Sequence, residues 1–247
     1  MRKVKFANGE YYHIYNKGAA DQNIFREEKD FAKFIYKMND HNNVLNMSAR
    51  LPTLGVPDTE CPETRDKLVE FVCYSLAPSH YHSILKQLAD QGIQKYLHKL
   101  EMSYAKYFNR KYGRIGVLFQ GKFQAVHIDS NEYLLWLSGY VNGNVEIHKI
   151  AKAEEWKWSS YKDYLGLRNG TICDKEIILS QFSDTPGALD TRCQGHRVSG
   201  MSGASSYREY VQMVIENSSK RKDDLLDWAG FARHSVSGTP SVEEGET

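Results

Sequence analysis

An apolar, strand-like run, Leu68-Val69-Glu70-Phe71-Val72-Cys73-Tyr74, leads within a few residues to Pro78-Ser79-His80-Tyr81-His82. A link as short as Ala77-Pro78-Ser79 leaves two solutions: an antiparallel hairpin, or a bulged bend within one long strand. In either, alternate side chains share a face, so His80 and His82 project to the same side. Two adjacent imidazoles on a rigid strand can hold part of a divalent metal site. The same spacing also suits two histidines with hydrogen-bonded partners on a half-buried strand.

The segments around this pair define an order. Tyr11 to Asn16 reads as a strand ended by Lys17-Gly18. Phe31, Phe34, Ile35 and Met38 recur at helical spacing, which predicts a helix over Glu27 to Asn39. Leu68 to Leu76 and His80 to Leu85 are the second and third strands. Ile93, Leu97, Leu100, Tyr104, Tyr107 and Phe108 form one stripe of a long helix over Gln91 to Tyr112, ended by Gly113. Phe119 to Ile128 is the fourth strand, interrupted by Gly121. Ser130 is placed to cap a third helix running to about Asn144. The order β-α-β-β-α-β predicts an α+β, ferredoxin-like fold. Its antiparallel sheet would carry two helices on one face, with the third helix against the open face. Asn42 to Arg65 reads as an irregular connection. Composition changes after Gly166, which predicts a domain over 1–166 and a C-terminal extension over 167–247. That extension has a Ser/Gly/Thr-rich linker (Ser183 to Ser206), a helix from Tyr207, a further short helix near Lys220 to Ala232 and a disordered tail.

Composition limits the classes of function. With 247 residues and 41% hydrophobic content the chain can bury a real core. A net charge of +1 gives no global attraction to polyanions, so a nucleic-acid site must come from local clustering. Lys106, Arg110, Lys111 and Arg114 cluster on and just after the long helix, and Lys122 follows Gln120-Gly121. Aromatic Tyr107, Phe108 and Tyr112 lie among them. Cations contact phosphates and aromatic rings stack unpaired bases, although this also describes a solvated helix face with its core stripe. The four cysteines are scattered, which fits a reducing cytoplasm rather than a disulfide scaffold. No stretch is long and apolar enough to span a bilayer.

Tyr140 and Asn144 carry the remaining chemistry. A phenol with a pKa near 10 is a weak nucleophile. A metal beside a phosphate neutralises charge and orients it for in-line attack. Attack would leave a phosphotyrosine that conserves the phosphodiester bond energy, so rejoining needs no ATP. Asn144, four residues on, shares a helix face with Tyr140, and its amide oxygen is suited to the same metal. With 16 tyrosines in the chain, an ordinary core tyrosine fits the spacing as well.

A set of landmarks in order adds context: Tyr11-Tyr12-His13-Ile14-Tyr15-Asn16-Lys17-Gly18, Ile24-Phe25, Pro78-Ser79-His80-Tyr81-His82, Tyr104 to Asn109, Gly116 to Phe123, Tyr133-Leu134-Leu135, Tyr140 to Asn144, and Trp158-Ser159-Ser160-Tyr161. Over about residues 8 to 166 this set resembles the single-tyrosine HUH transposases, in particular the REP-associated tyrosine transposase branch. The resemblance implies a metal-dependent endonuclease and transposase acting on single-stranded DNA with imperfect hairpins. It implies Tyr140 as the nucleophile that joins a 5′ phosphate, and His80, His82 and Asn144 as ligands of Mg²⁺ or Mn²⁺. It leaves monomer and homodimer both open. The chain departs from the family pattern at Ser79 (usually Asn), Ala77 (often Met), Asn142 (often His) and Val145 (often Pro). These departures motivate a second reading, a non-catalytic hairpin-binding module on the same fold.

Overall fold

The computed structural model describes residues 4–42, 67–182 and 206–220, apart from the side chains of 219 and 220. Its centre is an antiparallel sheet of β1 (Tyr11–Lys17), β2 (Val69–Ala77), β3 (His80–Gln87) and β4 (Gln124–Ile128), ordered β2-β3-β1-β4. The helices are α1 (Glu28–Asp40), α2 (Gly92–Lys111), α3 (Asn131–Ile147), α4 (Tyr161–Tyr164), α5 (Glu176–Leu179) and α6 (Tyr207–Lys220), with a 3-10 turn at Ala19–Asp21. The chain is therefore of α+β class. The link after β2 is a true hairpin, with Ala77 opposite His80.

Strand alternation gives the sheet two apolar faces. Tyr12, Ile14, Tyr81 and Leu85 share one core with Phe31, Phe34 and Met38 of α1 and Tyr96, Leu100 and Tyr104 of α2. Cys73, Ile84 and Ile128 share the other with Leu134, Leu137 and Val141 of α3. A register shift between Phe71 and Cys73 lets consecutive Val72 and Cys73 both join this second core. So α1 and α2 cover one face and α3 the other.

Local chemistry fixes the helix ends. Glu27 and Asp30 form a reciprocal capping box at the start of α1. Ser130 Oγ accepts from Tyr133 N at the start of α3. Gly92 begins α2 where an added Cβ would sit 2.3 Å from the Leu68 carbonyl oxygen, so no other residue fits without backbone movement.

Two expectations change. The fourth strand spans only Gln124–Ile128, because Gly121 turns the chain at φ +71° and Phe119 makes just an isolated bridge to Gly18. The helix from Tyr207 runs on to Lys220 and packs against α3. An added Cβ on Gly143 would sit 2.6 Å from Ile215 Cγ1, and one on Gly139 3.0 Å from Val214 Cγ2. Ile178, Phe182, Tyr207 and Val211 belong to the α3 core, so the described part of the C-terminal extension shares a core with residues before 166. The expected irregular connection, the Ser/Gly/Thr-rich linker, the helix beyond Lys220 and the tail lie almost wholly outside the described residues. Cys73 and Cys173 are free thiols. Among the described residues no helix is long and apolar enough to cross a membrane.

Candidate metal and nucleophile site

His80 and His82 sit at the start of β3 on the face covered by α3, their rings 5.3 Å apart and nearly perpendicular. Opposite them, α3 presents Tyr140 and, one turn later, Asn144. His80 Nε2 lies 3.1 Å from Asn144 Oδ1. The Tyr140 ring meets the His82 ring edge-on at 5.9 Å. Tyr140 is held from its other side by Trp136, stacked at 5.6 Å and 15°. Four residues from two distant stretches of sequence thus converge between β3 and α3.

Each histidine is oriented by a bond at its other nitrogen. His80 Nδ1 pairs with Ser79 Oγ at 3.1 Å, and His82 Nδ1 with His13 Nε2 at 2.9 Å. Outer partners of this kind fix the tautomer and aim of metal-binding imidazoles. His80 Nε2 faces Asn144, and the His13 contact at Nδ1 leaves His82 Nε2 outside that bond. His13 was not a candidate on the sequence. It stands on β1, diagonal to His82 because Tyr15 is the residue paired with His82, and only the strand pairing discloses that. His148, whose ring lies 5.2 Å from that of His80, was also passed over. Its place four residues after Asn144, as the C-cap of α3, is the signal the sequence carries for it.

Burial sets the protonation states. It lowers the His80 pKa to about 4, reinforced by His148 nearby. It drives His82 well below the ordinary imidazole value, reinforced by His13, and lowers His13 to about 3. All three are neutral at pH 7, the form that ligates metals. Burial raises the Tyr140 phenol, while the Asn144 side chain acts in the opposite direction.

These residues fit a small divalent ion. The donor set is two neutral imidazole nitrogens and an amide oxygen. The 3.1 Å between His80 Nε2 and Asn144 Oδ1 suits a hydrogen bond. It is also close to the roughly 3.0 Å between adjacent ligands of an octahedral ion with bonds of about 2.1 Å. The Asn144 side chain acts on the Tyr140 phenol as well as on His80, so its amide stands between the two with its oxygen toward His80. Among the described residues no three His, Cys, Asp or Glu side chains gather as a metal group.

The cationic candidates separate. Lys106 and Arg110 are exposed on α2, across the sheet from α3. Lys111 is drawn into a tie between helices, bonded to Asp30 and 2.7 Å from Glu27 Oε1, so two carboxylates offset its charge. The Arg114 guanidinium lies 5.6 Å over the Phe108 ring. Lys122 is exposed in the segment before β4. That segment is fastened to β1 by a bond from Gln120 N to Lys17 O, and Lys17 pairs with His80. Lys122 thus stands at the metal-site end of the sheet.

No family model matches the chain, and no curated protein matches it. Among solved structures, one similar chain is a REP-associated tyrosine transposase bound to a REP hairpin. It shares 14% identity at a TM-score of 0.43, covering 70% of this chain and 93% of that one. A likeness this distant decides neither fold nor function.

Proposed function

We propose that this protein is a metal-dependent transposase-type endonuclease. It cleaves and rejoins single-stranded DNA at hairpin-associated sites through a covalent 5′-phosphotyrosine on Tyr140. His80, His82 and Asn144 hold Mg²⁺ or Mn²⁺. The observation that supports this best is the convergence of Tyr140 and Asn144 from α3 on His80 and His82 of β3, with His80 Nε2 3.1 Å from Asn144 Oδ1. We read the β-α-β-β-α-β order and the strand order β2-β3-β1-β4 as ferredoxin-like, and residues 1–166 as the catalytic unit.

The chain's own residues have definite tasks. Tyr140 Oη attacks the phosphorus and gives up its proton. The bond from phosphorus to the 3′ oxygen breaks, and that oxygen leaves as a hydroxyl. Trp136 holds the phenol ring in one orientation by stacking. His13 and Ser79 hold the two imidazoles. A bound divalent cation supplies charge neutralisation at the phosphate, which a raised phenol pKa makes the more necessary. Attack by a second 3′ hydroxyl reverses the step and frees Tyr140 without ATP.

The raised Tyr140 pKa also favours a second reading, hairpin binding without chemistry. One experiment separates the two: a denaturing gel of the protein with labelled single-stranded hairpin oligonucleotides from beside its own gene, with and without Mn²⁺. A Mn²⁺-dependent covalent band, lost in Tyr140→Phe, is expected. Binding without any such band across a broad hairpin set would replace the enzyme with the binding module.

A further inference from the structure

The segment between α2 and β4 carries a feature the proposed chemistry does not use. From Met102 to Ile128 every charged side chain is a cation: Lys106, Arg110, Lys111, Arg114 and Lys122. In a chain of net charge +1 such an acid-free stretch is a local departure. At its tip stand two large apolar side chains, Ile115 at 99% exposure and Val117 at 74%. Single exposed apolar residues are common on protein surfaces. Two within three residues, on a loop that is held rather than loose, call for a partner.

The loop is anchored at its root. Asn109 Nδ2 donates to the Gly116 carbonyl at 2.8 Å, and Arg114 N donates to Asn109 O at 2.9 Å. Ala19 N and Gln22 Nε2 both donate to the Leu118 carbonyl. Leu118 and Phe119 are buried. Gly113 and Gly116 take positive φ, +61° and +100°, and an added Cβ at either would meet nothing, so these glycines serve the turn rather than packing. The result is a fixed apolar finger. It emerges where Gln120 joins Lys17, the residue paired with His80. Beside it the Arg114 guanidinium keeps one buried nitrogen, Nη1, without a hydrogen-bond partner.

Apolar side chains presented between cations suit nucleic acid. Aliphatic wedges insert between base steps and unstack them, while lysine and arginine take the flanking phosphates. We propose that Ile115 and Val117 form a base-unstacking wedge at the foot of the DNA hairpin, with Arg110, Arg114 and Lys122 on the adjacent phosphates. This rests on the DNA reading above and adds to it a means of opening the duplex end. A protein partner would favour an apolar patch with mixed charges around it; the finger's own stretch carries cations only, and Asp21 near its root is paired with Lys17.

The test uses the full chain and a DNA hairpin with single-stranded flanks from beside its own gene, carrying 2-aminopurine at the base of the stem. Wild type should brighten the 2-aminopurine on binding. The double variant Ile115→Ser, Val117→Ser should bind about tenfold more weakly, without the brightening and with an unchanged salt slope. Lys122→Gln should instead lower the salt slope by about one and retain the brightening. Both positions are exposed, so circular dichroism and Tm should match wild type. Unchanged affinity and brightening in the double variant would overturn the wedge while leaving the DNA reading intact. A change of oligomeric state in the double variant with unaltered DNA binding would make the finger a protein contact and likewise overturn it. Failure of wild type to bind any hairpin would sink the DNA reading itself, and the wedge with it.

Discussion

His13 shows how much a single side chain can matter without touching a substrate. Its Nε2 bonds His82 Nδ1, so replacing it should loosen the aim of a metal ligand. His13→Leu is expected to weaken Mn²⁺ affinity by about 10- to 100-fold by calorimetry, with His13→Gln, which keeps an acceptor, recovering part of it. An affinity unchanged in His13→Leu would make His13 a packing residue only. Tyr140→Phe removes one hydroxyl and keeps the ring stacked on Trp136. Its fold and hairpin binding should survive while the covalent band disappears. At this scale the sequence was informative where chemistry is local. His80 and His82 share a strand face by alternation, and Tyr140 and Asn144 share a helix face by the helical repeat. His13 was hidden, because its role depends on which strand lies beside β3.

Two pairs of elements are tied by contacts with no sequence signature. The first is α1 to α2. Asp30 is fully buried and accepts from the backbone of Arg26 and Glu27, the hydroxyls of Tyr107 and Tyr112, and Lys111. Burial alone raises its carboxyl pKa, but the Lys111 and Tyr112 bonds and the two backbone bonds outweigh it and the net shift is downward. Asp30→Ala leaves Lys111 with one carboxylate, Glu27, and should cost about 3–5 kcal/mol in denaturant unfolding. Adding Lys111→Met should recover part of that loss. The second is α3 to α6, where glycines admit the neighbouring helix. Valine at Gly143 gains a few tenths of a kcal/mol in helix propensity. Overpacking against Ile215 costs about 1–3 kcal/mol, so the clash wins. Gly143→Val should therefore lower Tm, and Ile215→Ala in the same chain should relieve it. Additive losses instead would show that the two positions do not touch. The sequence reading gave Lys111 to DNA because a basic run looks the same whether its charges face solvent or a buried carboxylate.

For the whole molecule, the buried imidazoles make stability depend on pH in a definite direction. His13 and His80 are lowered to about 3 and about 4, and His82 is held well below the ordinary imidazole value, in each case chiefly by burial. In the unfolded chain each titrates near 6.5. As pH falls below about 6.5 the unfolded state takes up protons that the folded state refuses, so stability should drop, with the His80 contribution levelling off below about pH 4 and that of His13 only below about pH 3. Calorimetric Tm against pH would show this slope, and His13→Leu should make it shallower. At pH 7, Mn²⁺ at about 100 times its Kd should add about 2.7 kcal/mol, an increment expected to hold down to about pH 5 because the folded imidazoles stay neutral there. A flat Tm across pH 4–6.5 would mean these imidazoles are not buried. Read alone, the sequence determined the β-α-β-β-α-β order, the two-faced strands and both halves of the candidate site, since periodicity and capping act within a few residues of each other. Only the tertiary structure decided that the halves meet, that His13 backs His82, that β4 begins late, that Lys111 is spoken for and that α6 seats on the glycines of α3. Those outcomes depend on which distant surfaces pair, and a pairing between segments sixty or more residues apart is set by the summed burial of both faces rather than by any local pattern.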